Sequence, residues 1–514
     1  MLPHYCGYSF CIEPVVLETW FEVFSSFALD VETKHIRRPA FGRDASWLLS
    51  AEIVAILLAF IGQIILTRNL LASDYGWFIL AIDVYATIFL VTDLGLPTLL
   101  ARDGPKDPSV IAQAIKKIYS MQLCAFVVFL IIALVVQPLD WFEQRDSVWI
   151  VSLCIAISFI HIASYSPRAG LRAMGYANHE AYSKVIERGC IVLGYFLLAS
   201  KGVTTVEWYA AAFLFGGLVS VLYSLFILNI FLRGVSTHSQ ISVLGEEWYD
   251  TKTLFFSALP FAITLSILPY VIRIEKFLVA YATNVEIMAV FHVAQLAWLA
   301  GLVVPTALRS AMLPVLGQDR GIVELQHQSM NSCLSICFGL LPIGLYGGQC
   351  IVAIFAPLAF PQQYFDGTLG ANAINLFSVL LLGWSMTLLS TPTYTLLQTD
   401  LNPWKFTIFI AAVTSTSFIL GWILIVELGS SSRSVLYLGS LAATLSALFL
   451  YLYSVTLSGS WQWVMQRKEE WVFALVCTSF IVLGFVGNSL IWLFGLPLFL
   501  FIPQALRAMR STLS

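Results

Sequence analysis

The residues of this chain with most chemical potential are ionisable groups set in apolar surroundings. Glu52 lies in the first long apolar run, and Gln63 follows eleven residues later. That is about three helical turns, so both side chains return to one face, with Ala55 and Ala59 between them. A stripe of small and polar residues on such a helix is expected to face inward. Asp83 lies in the second run with Thr87 one turn beyond it. Near the end of a later run stands Arg273-Ile274-Glu275-Lys276, and His292 sits in the middle of the next. An ionised group at mid-membrane costs about 2.5–3.5 kcal/mol on insertion scales, so each needs a partner or a task.

The tasks open to these groups are few. Glu52 and Asp83 could relay a proton or cation, or touch a polar substrate; packing by hydrogen bonds to a neighbouring helix is the blander reading. Replacing either by Ala is expected to lower translocation while leaving the chain inserted. Residues two apart point in nearly opposite directions on a helix, so Arg273 and Glu275 are not a local pair and at least one must find a partner elsewhere. They could bind an anion at a cavity mouth or lie in the headgroup layer. His292 could couple transport to pH or be a neutral, hydrogen-bonded side chain, the reading preferred for His161. Asp93 and Arg102 flank Gly95 and Pro97 and shape a loop, where Arg102 is placed to meet a lipid phosphate.

The surrounding composition explains why these groups stand out. Of 514 residues, 59% are hydrophobic and 11% charged, against roughly 25% charged in soluble domains. So few charges cannot cover a water-soluble surface of this size, and lipid must cover much of it. A spanning helix needs about 20 mostly apolar residues. Candidates fall at 45–67, 76–98, 117–137, 147–167, 186–200, 205–232, 253–277, 284–306, 331–356, 370–397, 403–426, 434–456, 470–487 and 489–505. The fifth is short and is expected to begin earlier, near Tyr182.

The expected fold is therefore all-α, a polytopic membrane protein of about fourteen transmembrane helices. Residues 1–44 are expected to form an N-terminal cytoplasmic extension, with helical spacing from Val16 to Phe27 that suits an interfacial helix as well as an upstream extension from a misplaced start. Residues 45–232 and 253–456 form two six-helix lobes joined by a cytoplasmic linker at 233–252, and 457–514 carries two more helices and a cytoplasmic tail. With the N-terminus inside, alternation puts 21 of the 27 Lys and Arg residues on the cytoplasmic side, as the positive-inside rule demands. Both termini are then cytoplasmic, and the expected location is the cell (inner) membrane. Loops this short hold no soluble catalytic domain. The nine cysteines are scattered and read as apolar fillers, and no Walker, HExxH, GxSxG or paired-cysteine pattern is present. No metal, no cofactor and no nucleic-acid partner is expected, and the chain reads as a transporter rather than an enzyme.

Two stretches carry a resemblance. Thr67-Arg68-Asn69-Leu70, Asp74-Tyr75-Gly76-Trp77-Phe78, Thr92-Asp93-Leu94-Gly95-Leu96 and Leu100-Ala101-Arg102 resemble the opening of the bacterial polysaccharide (oligosaccharide-lipid) flippases of the multidrug/oligosaccharidyl-lipid/polysaccharide exporter superfamily. In the second half, Leu259-Pro260, Arg273 to Leu278, Gln295 and Leu313-Pro314 continue the likeness, which spans residues 45–456. Glu275 stands where that family commonly has Asp, and Ala289-Val290-Phe291 replaces its Gly-x-Tyr element. The resemblance implies two lobes of six helices with two helices added. It also implies the movement of an undecaprenyl-pyrophosphate-linked sugar repeat unit from the inner to the outer leaflet for surface polysaccharide synthesis. Glu52, Gln63, Asp83, Arg273, Glu275 and His292 are the candidate substrate or ion ligands, and Arg102 and Lys276 candidate phosphate or lipid contacts. The implied partners are the lipid-linked oligosaccharide, the bilayer, a coupling H+ or Na+, and the polysaccharide assembly machinery. Competing readings are a multidrug and toxin extrusion antiporter, a peptidoglycan-precursor flippase, and a membrane-embedded polysaccharide polymerase or ligase.

Overall fold

The computed structural model describes residues 41–104, 111–138, 140–142, 148–233, 251–318, 323–400 and 402–486. The expected extension before residue 41, most of the linker and the fourteenth helix lie outside the described residues. Within them the chain is helical, with no strand. Ten helices among the described residues are long and apolar enough to cross a membrane.

Helix α1 spans Phe41–Asn69 and α2 Ala72–Phe89, prolonged by a 3-10 turn at Leu90–Asp93. The expected single helix at 76–98 ends there because Leu94 and Gly95 both take positive φ, 56° and 65°, which no right-handed helix tolerates. The short α3, Leu96–Asp103, then starts afresh. Helices α4 (Ile111–Val136), α5 (Val148–Ala173), α6 (Ala177–Ser200) and α7 (Val206–Arg233) complete the first half. Helix α6 begins well before the expected 186, and before Tyr182. Its first turns carry Glu180, Lys184, Glu187 and Arg188, which read as a break in an apolar run. Glu180, Lys184 and Glu187 instead pair with α1 and α5 and stay helical.

The second half holds more interruptions. The expected helix at 253–277 is two helices, α8 (Thr251–Ile267) and α9 (Tyr270–Ala282). Pro269 has no N–H to give and disfavours helical geometry in the residue before it, so the chain breaks at Leu268. Helix α10 (Val285–Gly301) passes through Leu302 into α11, Val303–Gln318. Helix α12 (Val323–Pro342) joins α13 (Gly348–Ala359) by a π-helical turn at Ile343–Gly347. The Trp384 ring fills the space beside Gly344, and its Nε1 donates to the Gly301 carbonyl at 2.8 Å, satisfying an acceptor that Pro305, four residues on and without an N–H, leaves free. Helices α14 (Ala373–Gln398), α15 (Pro403–Gly421), α16 (Ser432–Leu457), the short α17 (Trp461–Met465) and α18 (Lys468–Val486) follow.

The two halves repeat one packing scheme. In the first, α1 lies on α6, α6 on α7, α7 on α5, and α5 on both α2 and α4. In the second, α8 and α9 lie on α15, α15 on α16, α16 on α14, and α14 on both α10 and α12. Among the described residues the two halves thus pack their helices in the same order and form two lobes, with α18 added against α12 and α14. Rows of bare apolar side chains cover the outside, including Leu123, Val127, Val128 and Ile131 on α4 and Ile351, Ile354 and Phe355 on α13. A surface of that kind belongs in hydrocarbon, and the protein is an integral membrane protein.

The lobes meet along α2. Near its start, a Cβ on Gly76 would stand 2.1 Å from the Val285 carbonyl oxygen at the start of α10, so only glycine allows that approach. After its end, a Cβ on Gly95 would stand 2.6 Å from the Ala262 nitrogen of α8. These contacts bring the middle of α2 against α9 and α10.

Candidate functional site

The Pro269 break re-aims α9 so that Arg273 and Lys276, three apart and on one face, look across the seam at α2. Lys276 is buried and its ammonium pairs with the Asp83 carboxylate. Arg273 Nη1 donates to Thr87 Oγ1 at 3.0 Å and lies 3.5 Å from the other Asp83 oxygen. The Arg273 side chain keeps 34% of its surface open, whereas Lys276 keeps 2%. Two cations thus share one carboxylate, and the accessible one is the guanidinium.

His292 continues the cluster. Its Nδ1 lies 3.4 Å from Lys276 Nζ, and Nε2 is buried without a hydrogen bond in the protein. The ring of Tyr75 packs against the imidazole with centroids 6.0 Å apart, and the Tyr75 hydroxyl donates to Gln63 Oε1 at 2.7 Å. Five of the residues singled out in the sequence therefore meet at one place: Gln63 and Asp83 from the first lobe, and Arg273, Lys276 and His292 from the second. Tyr75 and Thr87 link them. Tyr75 was read only as part of a family motif, and nothing in its local sequence marks it as a bridge.

The other candidates lie elsewhere. Glu52 does not join Gln63; it pairs with Lys184 of α6 at 3.1 Å, with 45% of its side chain exposed. Glu275 points away from Arg273, as the two-residue spacing requires, and accepts a hydrogen bond from Ser446 Oγ of α16 at 2.9 Å. The Arg102 side chain lies outside the described residues. Asp93 is buried at the seam end of α2, with Gln122 Nε2 at 3.3 Å, and His161 is held by the Tyr165 hydroxyl at 2.7 Å.

A second buried network went unnoticed in the sequence. Arg168 of α5 donates to Glu187 Oε2 at 2.6 Å, to Ser220 Oγ at 2.7 Å and to Ser183 Oγ at 3.0 Å. Ser183 also bonds Ser224 at 2.7 Å. The available signal was spacing: Ser183 with Glu187, and Ser220 with Ser224, each lie four apart on one helix face, the second pair in a largely apolar helix.

At the α1–α2 end of the seam, Arg68 donates to the carbonyls of Leu358 and Ala359, the last of α13, with Nε 2.7 Å from the Ala359 oxygen. A guanidinium there both satisfies orphan carbonyls and meets the negative end of the helix dipole. It ties the first lobe to the second on that face.

A family model described as "Polysaccharide biosynthesis protein" matches residues 41–318, a span that holds every member of this cluster. The chain belongs to that family. No curated relative matches it. Among solved structures, this polysaccharide biosynthesis family member is similar to an inward-facing multidrug resistance MATE family transporter of the MOP superfamily, at 17% identity and TM-score 0.59, over 81% of this chain and 98% of that one. It is also similar to the lipid II flippase MurJ in an inward closed conformation, at 14% identity and TM-score 0.58, over 88% of this chain and 98% of that one. A MOP superfamily transporter from Pyrococcus furiosus Vc1, whose binding pocket is described as reversed in polarity, matches at 17% identity and TM-score 0.56, over 83% and 98%. At these identities the likeness establishes a shared fold. The family is one of polysaccharide biosynthesis, and the fold is the one these transporters share.

Proposed function

We propose that this protein flips undecaprenyl-pyrophosphate-linked oligosaccharide repeat units from the cytoplasmic to the outer leaflet of the inner membrane. It does so by alternating access of its two lobes, coupled to movement of an ion. The observation that carries the reading is the excess of cation at the seam: Arg273 and Lys276 face a single carboxylate, Asp83. A guanidinium with open surface, held between lobes, suits the bidentate capture of a pyrophosphate. The sugar needs a polar route, while the polyprenyl tail can stay in the bilayer beside the apolar outer surface. The same excess of positive charge opposes a cationic drug as substrate. In this orientation the α1–α2 face is the outer one, both termini are cytoplasmic, and the assembly machinery for the polymer would receive the product outside.

The test is complementation of a strain that lacks its own oligosaccharide-lipid flippase. The expected result is restored surface polysaccharide with no build-up of the lipid-linked intermediate. Continued accumulation across a panel of strains with different repeat units, with the protein present in the membrane, would overturn the reading.

A further inference from the structure

We infer that His292, Tyr75 and Gln63 form a proton path between the Asp83–Lys276 pair and the α1–α2 face, with one water held between His292 Nε2 and the Tyr75 hydroxyl. The inference rests on the proposed ion-coupled function and assigns the route the ion takes.

Lysine ammonium has three donors and no acceptor, so His292 Nδ1, 3.4 Å from Lys276 Nζ, must be the accepting nitrogen. A neutral imidazole then carries its hydrogen on Nε2. That N–H is buried and has no hydrogen-bond partner in the protein, an arrangement that natural interiors rarely keep without a task. Tyr75 packs over the same ring, and its oxygen, already donating to Gln63 at 2.7 Å, retains lone pairs to accept. A buried water needs two to four polar partners, and the Nε2–H and the Tyr75 oxygen are two. Gln63 is only half-buried and ends the chain of contacts on the α1–α2 side. On the other side of Tyr75 the ring of Tyr364 seals it, with centroids 6.4 Å apart.

The step balances. Lys276 passes one proton to His292 Nδ1, and the imidazole releases its Nε2 proton to the water, which hands it to solvent at the α1–α2 face while the Tyr75 hydroxyl, fixed by Gln63, holds that water in place. The imidazole ends as the other neutral tautomer, Lys276 ends as an amine, and Asp83 keeps Arg273 as its cation. Run in reverse, one proton enters and restores the Asp83–Lys276 pair. The ionisable groups around the imidazole are Lys276 and Arg273 of α9, Asp83 and Tyr75 of α2, and Tyr364 beyond the ring of Tyr75.

The experiment uses the full chain in lipid nanodiscs with nitrogen-15 histidine, the His292 signals being identified by their loss in His292→Gln. The expected spectrum shows the Nε2–H tautomer. In Tyr75→Phe, which removes only a hydroxyl, exchange of that hydrogen with solvent slows by roughly 10²-fold. An Nδ1–H tautomer, or equal exchange in both proteins, overturns the path. In complemented cells, the rate of polymer appearance should vary with external pH for the wild type and lose that dependence in Tyr75→Phe and His292→Gln; unchanged profiles also overturn it. Failure of the wild type to restore polymer would count against the function, while the spectra would still decide the path.

Discussion

Two buried charge networks in this protein use similar residues for different ends. Arg168, Glu187, Ser183, Ser220 and Ser224 all belong to helices α5, α6 and α7 of one lobe. Asp83, Thr87, Arg273, Lys276 and His292 are divided between lobes. The first network would keep its partners through the proposed movement of the lobes. The second exists only while α2 lies against α9 and α10. A membrane interior makes any unpaired charge costly, so the intralobe network acts as a fixed brace. In the proposed alternating-access cycle the seam network is the one whose partners would change. Burial and charge alone do not separate a structural ion pair from a working one; what separates them is whether the pair crosses a surface that moves.

This contrast can be broken by substitution. Arg168→Leu or Glu187→Leu leaves an uncompensated buried charge, a loss of about 3–5 kcal/mol. Each is expected to remove most folded protein from the membrane, as read by detergent thermal melting. If either single variant melts like the wild type, the brace is not structural.

The next largest effect should fall at the seam, on transport rather than on folding. Asp83→Asn is expected to leave the protein in the membrane and to cut polymer appearance by at least about tenfold, the equivalent of 1.4 kcal/mol. Wild-type flux in that variant would remove the seam pair from the mechanism. Arg273→Lys keeps the charge but loses the fork geometry, so it should retain more flux than Arg273→Gln; equal flux would argue against pyrophosphate capture by a guanidinium.

Smaller effects are expected outside both networks. Ser446→Ala removes the hydroxyl that Glu275 accepts from. Interhelical hydrogen bonds within a bilayer contribute about 0.6 kcal/mol on average, so a small drop in melting temperature is expected with transport retained. Glu52→Ala should do least. Its partner Lys184 and its own side chain are both partly open, and such pairs contribute about 0–1 kcal/mol. Flux through Glu52→Ala as low as through Asp83→Asn would extend the working network onto α1 and α6.

Much of the fold was legible because apolar length is a direct consequence of the bilayer. Runs such as 205–232 and 434–456 coincide with α7 and α16 to within two residues. Helix α6 was cut short in the sequence reading because Glu180, Lys184 and Glu187 look unlike a span until their partners are known. The breaks at Leu268 and Leu302 were missed because hydropathy does not change across them; Pro269 marks the first in the sequence, and Pro305, four residues after Gly301, marks the second. In the candidate site, the residue types and the divergence of Arg273 from Glu275 followed from spacing. The company each residue keeps did not.

The sequence by itself determined that this chain is a bundle of membrane helices, because the cost of exposing charge and backbone to lipid is paid locally, segment by segment. It also singled out the few ionisable groups that must have partners. Only the tertiary structure decided which partners: that Glu52 answers to Lys184, that Glu275 turns to Ser446, and that Asp83, Arg273, Lys276 and His292 converge at the seam. Those pairings join residues more than 100 positions apart in most cases, and their geometry depends on a proline break and two glycine contacts that place whole helices. Pairing across that distance depends on how helices pack against one another, which no single segment encodes.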